Sequence, residues 1–192
     1  MSEILTIDTT DGLNTSEKVE PLPLMTEDHP MLRQKIPEYK GKLPTGMMTH
    51  LIKRLKMTMK LYGGVGLSAN QCGVFERVFV IGTDDFQLAC VNPRIVEIEG
   101  QSEKNNEGCL SYPGLFLKIE RPSVIIGEWL DENGELKRAR LSGITAQCFQ
   151  HELDHMNGVR FTEHVGTVAL RMARQKQVKT IKKIMRKQKN GL

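Results

Sequence analysis

The apolar positions of the chain change their period twice. Between about Thr45 and Tyr62, Met48, Leu51, Ile52, Leu55 and Met59 recur three and four residues apart. That spacing predicts an amphipathic helix, and Gly63-Gly64 ends it. From Arg77 onward the apolar residues come in short, β-branched or alternating runs. Strands are predicted at Arg77–Ile81, Gln87–Asn92, Arg94–Glu99, Leu115–Glu120, Ser123–Leu130 and Glu135–Leu141. Asn133-Gly134 falls between the last two and signals a hairpin. The helical period then returns. Ser142 is a candidate cap, the helix runs to about Asn157, and Gly158 stands where a helix commonly stops. A last helix is predicted over about Val168–Arg186, with Val178, Ile181 and Met185 as its apolar stripe. Strands in the middle with helices at both ends predict an α+β fold rather than alternating βαβ units. In it, antiparallel sheets pack around a central helix, with an N-terminal and a C-terminal helix beside them.

Composition narrows this picture. A chain of 192 residues suits one domain and buries a core without disulfides. No apolar run is long enough to span a bilayer, so no membrane role is expected. Residues 1–20 are polar and acidic and read as a mobile extension, leaving 21–192 as one catalytic domain. The extension has neither a basic segment nor an apolar one of the kind that targeting peptides use, which predicts a cytoplasmic protein. The net charge of +4 hides an asymmetry: residues 1–30 carry seven acids and one Lys, residues 165–192 nine Lys/Arg and no acid. Of the four cysteines none forms a CxxC pair, so each reads as core or metal ligand rather than disulfide.

The candidate chemistry lies in the second helix. His151-Glu152-Leu153-Asp154-His155 is an HExxH pattern. Residues four apart share one face of a helix, so the two imidazoles can converge on one ion, with Glu152 in reach of water there. The apolar flanks Ile144, Cys148, Phe149, Leu153 and Met156 place this helix against a core. A catalytic ion needs a third protein ligand and an open position. Downstream the pattern gives Phe161 where one zinc-protease class has His, and no acid follows Glu163. Glu163 and His164 follow the helix too soon to serve in the usual way. Cys148 lies seven residues before His155, about 10 Å along a helix, too far for both to share the ion with His151. The third ligand is therefore expected upstream. Cys109, beside Gly108 in a bend between strands, can present a thiolate; Cys90 and Cys72 read as packed residues. His29 and His50 read as surface or capping residues, and Arg121 and Asp154 either as groups standing behind the ligands or as surface salt-bridge residues.

Three segments carry a family resemblance. Gly64-Val-Gly-Leu-Ser-Ala-Asn-Gln71, Glu107-Gly-Cys-Leu-Ser111 and Gln150-His-Glu-Leu-Asp-His-Met-Asn-Gly158 resemble, in order, the three signature motifs of the peptide deformylase family. The resemblance runs from about Pro21 to Phe161. Departures are Ser68 where Ala is usual, Met156 where Leu is common and Gln147 where Arg is frequent. The resemblance implies removal of the formyl group from the initiator methionine of nascent peptides. It implies Cys109, His151 and His155 as ligands of Fe2+, with Zn2+, Ni2+ or Co2+ able to substitute, and a metal-activated water as nucleophile. Glu152 becomes the acid/base, and the Gln71 amide and Leu110 N–H become the oxyanion donors. Gly64 and Gly66 would let the backbone approach the substrate closely, Gly66 and Gly108 would pair with the peptide as a strand does, and Val65, Ile144 and Cys148 would line the methionine pocket. The basic C-terminal helix reads either as a surface helix packed by its apolar stripe with a solvated basic face or, as the resemblance implies, as a segment that docks on the ribosome. The rival readings are an HExxH zinc peptidase of another family, which lacks its downstream ligand here, and a non-catalytic metal-binding module, for which Glu152 would have no task.

Overall fold

The structure, a computed structural model, describes residues 19–83 and 86–189, with side chains described through 182. The acidic extension expected over residues 1–20 thus lies outside the described residues except for its last two.

Helix α1 (Gly46–Leu61) forms where the period predicts it, and the Thr45 hydroxyl caps it by accepting from the Met48 N–H at 3.1 Å. Its inner face is Met48, Ile52, Leu55 and Met59, all buried. Five antiparallel strands follow in chain order: β1 (Gly66–Ser68), β2 (Val78–Gly82), β3 (Gln87–Gly108), β4 (Phe116–Leu130) and β5 (Leu136–Ser142). The period of two in β2 divides the core. Val78 and Val80 face α1, together with Ala89 and Val91 of β3. Phe79 and Ile81 face the other way, together with Cys90, onto the helix that carries HExxH. Each helix thus fills one face of the sheet, the arrangement that buries both faces of β2.

Two pairs of predicted strands are single strands. β3 runs unbroken from Gln87 through the polar stretch to Gly108, and β4 crosses Arg121-Pro122. Register shifts between Val91 and Arg94, Ile95 and Glu97, and Glu99 and Ser102 absorb the residues that break the alternation. Asn92 enters the left-handed region (φ 51) at the first shift, and its side chain holds both backbone groups of Tyr39. Residues 102–108 carry no apolar period, yet pairing with residues 116–122 holds them as strand. β3 and β4 therefore form one long hairpin whose tip, residues 109–115, carries Cys109.

Helix α2 (Gly143–Met156) carries HExxH. Ser142 occupies the N-cap position, but it is the last paired residue of β5, opposite Val124, and its side chain makes no cap hydrogen bond. Phe149 anchors α2, with its ring edge-on to Phe79 at 5.1 Å and 5.8 Å from Trp129. The other end closes in a Schellman turn: Gly158 N–H donates to the His155 carbonyl, and Val159 N–H to that of Asp154. Gly158 has φ 73, and a Cβ there would meet the Arg33 carbonyl oxygen at 2.8 Å. Asn70 Nδ2 also donates to the His155 carbonyl at 2.7 Å, and Arg77 Nη1 to that of Met156 at 3.0 Å. Asn157 N–H donates to the Leu153 and Asp154 carbonyls, so each of the last four carbonyls of α2 has a donor.

Helix α3 (Thr167–Lys189) packs Leu170 and Ala173 on Tyr112, Leu115, Leu117, Ile119 and Phe161. The predicted stripe is displaced. Val178 is half exposed, Gln177 is buried in its place, and Ile181 lies against Gly114. The face turned to the hairpin tip runs through Leu170, Ala173, Gln177 and Ile181, and Val178, one residue on from Gln177, points about 100° away from it. The Met185 side chain lies outside the described residues. Among the described residues no helix is long and apolar enough to cross a membrane.

Candidate metal centre

The 3.6-residue period sets His151 and His155 on one face of α2, with ring centroids 5.1 Å apart. The β3–β4 hairpin tip brings Cys109 to them, its Sγ 3.3 Å from His155 Nε2. One ligand atom from each of the three lies within 4.8 Å of the others. A tetrahedral ion at about 2.3 Å from sulfur and about 2.1 Å from nitrogen spaces such atoms about 3.5 Å apart, so the cluster fits one ion. Three ligands leave a coordination position open, and the centre borders a cleft of about 650 Å³. Among the described residues three buried side-chain polar atoms lack a hydrogen-bond partner, and two of them, Glu152 Oε2 and His155 Nδ1, belong to HExxH. Unpaired buried polar atoms are rare enough to call for a missing partner, and an ion with its water supplies one for Glu152.

A buried ion-pair network stands behind the ligands. Glu107 Oε2 lies 3.0 Å from His151 Nδ1, which directs the proton to Nδ1 and leaves Nε2 for an ion. Arg121 grips the same carboxylate through Nε (2.6 Å) and Nη2 (3.0 Å), and its Nη1 reaches Asp154 at 2.9 Å. Burial pushes the Glu107 carboxyl up, but the hydrogen bonds from His151 and Arg121 outweigh it and hold it at about 2. Burial also opposes charge on His151, yet Cys109 and Glu107 raise it to about 10. His155, buried and facing the His151 charge, is pushed well down. The two shifts run in opposite directions, so a proton in this centre is held by His151 rather than His155.

Glu152 is 3% exposed, and burial raises its carboxyl to about 7 against the opposing pull of His151. β1 passes beside it. A Cβ at Gly66 would stand 2.4 Å from Glu152 Oε1 and 3.0 Å from Cys148 Sγ, so any side chain there would push the Glu152 carboxylate out of place. Gln71 is locked by its oxygen. Ser68 N–H and Ser68 Oγ both donate to Gln71 Oε1, at 3.0 and 2.9 Å, which turns Nε2 toward Cys109 Sγ and Ser111 Oγ, each at 3.3 Å.

Gly64, Val65, Gly66, Gly108, Ile144 and Cys148 all line this one cleft, as do Gln71, Leu110 and Glu152. Val65 is 44% and Ile144 62% exposed, so they form a wall rather than core. Cys148 Sγ donates to the Val65 carbonyl, and burial pushes its thiol far up, which keeps it protonated and out of the ligand set. Cys90 and Cys72 are packed as expected. His29 caps the turn that follows it, accepting from Met31 N–H. Sequence reasoning gave Glu107 no role of its own, although it opens the second motif. It also missed Tyr112 and the stretch 24–26, which line the cleft as well; a short Pro-rich lead-in gives no periodic signal.

The sequence profile of the polypeptide deformylase family matches residues 21–170. The chain belongs to that family. The deformylase of Thermotoga maritima is 39% identical over 125 residues, covering 65% of this chain and 76% of the relative. That of Rhizorhabdus wittichii is 36% identical, covering 72% and 82%. Among solved structures, the Synechococcus elongatus peptide deformylase in complex with actinonin is 34% identical with a TM-score of 0.77, covering 82% of this chain and 88% of that one. As a deformylase the chain is an enzyme that removes the N-formyl group from nascent peptides, and its family is metal-dependent.

Proposed function

We propose that Cys109, His151 and His155 hold the catalytic ion, that the ion in the cell is Fe2+, and that Zn2+, Ni2+ or Co2+ can replace it. A thiolate with two imidazoles suits any of these borderline ions. When bound, such an ion supplies Lewis acidity, making water a nucleophile near neutral pH and polarising the formyl oxygen. The protein's own groups do the rest. Glu152 accepts the proton of the attacking water through its unpaired Oε2 and delivers it to the leaving amine. Gln71 Nε2, turned by Ser68 toward the ligands, and the Leu110 N–H donate to the oxyanion; one such donor can contribute about 3–4 kcal/mol to the transition state. Gly64 and Gly66 let the backbone approach the peptide closely, the backbones at Gly66 and Gly108 pair with it as an added strand, and Val65, Ile144 and Cys148 receive the methionine side chain.

The observation that carries this reading is the buried Glu152 carboxylate, with one oxygen unpaired, in the cleft beside three convergent ligand atoms. The test is formate release from a formyl-Met tripeptide by protein purified without oxygen, with Glu152→Ala as control. Rapid release that disappears in the variant is expected. Equal release by both proteins removes Glu152 from the mechanism.

A second part of the proposal concerns α3, whose Arg171, Lys176, Lys179 and Lys182 are exposed with no acid among the residues that follow Glu163. That basic face suits the phosphates of ribosomal RNA in the cytoplasm, an association that weakens steeply with salt. Ribosome pelleting unaffected by deletion of residues 175–192 would exclude it.

A further inference from the structure

The cleft has a wall that none of the three motifs supplies. Residues 24–26 line one side of it, and Tyr112 and Pro113 of the hairpin tip line it as well. The two segments lie far apart in sequence, and α3 holds them both. Arg174 Nη1 donates to Glu27 Oε1 at 3.1 Å, its Nη2 pairs with Glu27 Oε2, and its guanidinium stands 5.8 Å from the centre of the Tyr112 ring. Nη1 also donates to Gln177 Oε1 at 2.9 Å. Gln177, 8% exposed, then donates through Nε2 to the Pro113 carbonyl at 2.8 Å. The lead-in is also anchored close to the site by the Met25 N–H, which donates to the Gln71 carbonyl at 2.7 Å.

We propose that Arg174 and Gln177 are positioning residues that set the width of the substrate cleft by pinning residues 24–27 to the Tyr112-Pro113 tip. The proposal rests on the reading of this cleft as the peptide site. An isolated half-exposed ion pair contributes little. This one is bidentate, stacked on an aromatic ring and continued by a buried amide, and such networks act with more geometric force than single pairs. The wall it holds contains no ligand and no oxyanion donor. Tyr112 N–H donates to the Cys109 carbonyl and Met25 N–H to that of Gln71, and these backbone bonds do not involve Arg174 or Gln177, so release of the wall weakens peptide binding more than it alters the chemical step.

The test is charge reversal and restoration in the full, metal-loaded chain. Arg174→Glu, Glu27→Arg and the double variant are compared for KM and kcat with a formyl-Met tripeptide. Affinity for the deformylated tripeptide, measured by calorimetry, reports binding without turnover. The absorption of the cobalt-loaded protein reports the Cys109 thiolate. Expected is a rise of about five- to tenfold in KM and in the product dissociation constant for each single variant. The expectation includes kcat within about twofold of the parent, an unchanged cobalt spectrum, and recovery in the double variant. Gln177→Leu is expected to weaken binding in the same way. Unchanged affinity in the single variants, or no recovery in the double, overturns the proposal. The mechanism fails by a different sign, undiminished formate release by Glu152→Ala, so the two failures are distinguishable.

Discussion

Replacing Glu107 with Gln keeps the shape of the network behind the ligands and removes its charge. The cost can be reached by two routes. Holding a carboxyl at about 2 instead of its ordinary 4.5 corresponds to about 3 kcal/mol of native-state stability at pH 7. Breaking a buried ion pair costs about 3–5 kcal/mol, and because Arg121 keeps Asp154 as a partner the lower end applies. Both give about 3 kcal/mol. The pH dependence follows from the direction of the shift. A depressed carboxyl contributes fully above its unfolded value, and the contribution fades as pH falls from about 4.5 toward about 2. Urea unfolding of metal-free protein should therefore show parent and Glu107→Gln separated by about 3 kcal/mol at pH 7, narrowing to about 1 kcal/mol at pH 3. Metal affinity should also fall, by about 10-fold, because a neutral amide is a weaker acceptor for the His151 Nδ1–H than the carboxylate that orients it. A separation under about 1 kcal/mol at pH 7, or one that stays constant with pH, would refute the charge argument.

Three further outcomes follow from contacts described above. Gly66→Ala should displace the Glu152 carboxylate and lower kcat by about 100-fold with the ion still bound, checked by steady-state kinetics and metal analysis. Ser68→Ala removes the hydroxyl donor to Gln71 Oε1 but leaves the Ser68 N–H donor in place, so kcat should stay within about threefold of the parent; a fall of about tenfold or more would show that the backbone bond alone does not hold Gln71. Gly158→Ala forces a side chain into the left-handed turn against Arg33, and should cost more than about 1 kcal/mol, read as a melting point lower by at least about 2 °C.

Legibility in the sequence divided along a physical line. HExxH and the glycines around it could be read because chemistry fixes both residue type and spacing. α1 and α2 could be read because one-sided burial imposes a period. What escaped was held in place by partners remote in sequence. Residues 102–108 are strand because residues 116–122 pair with them, and no alternation marks them. β1, three residues long, is too short to carry a period. The Ser142 cap failed because β5 extends to that residue. The family resemblance supplied Cys109 as ligand, whereas local pattern supplied only a thiol in a bend. Arg77, which holds the end of α2, looks in the sequence like any charged residue before a strand.

The end of α2 bears on how the centre trades ions. Its four last carbonyls have donors from the chain itself, including Asn70 and Arg77, so the helix keeps its position whether or not an ion sits between His151 and His155. A small zinc module folds around its metal and collapses without it. Here the scaffold comes first, and the ion is a replaceable reagent. Stripping it with a chelator should silence the enzyme while leaving its helical circular dichroism intact. Refilling with cobalt or nickel should then restore turnover without a refolding step. On the proposed ligand set, exchange of one ion for another is expected to leave the fold unaltered, so that the surroundings rather than the scaffold would decide which metal the centre carries.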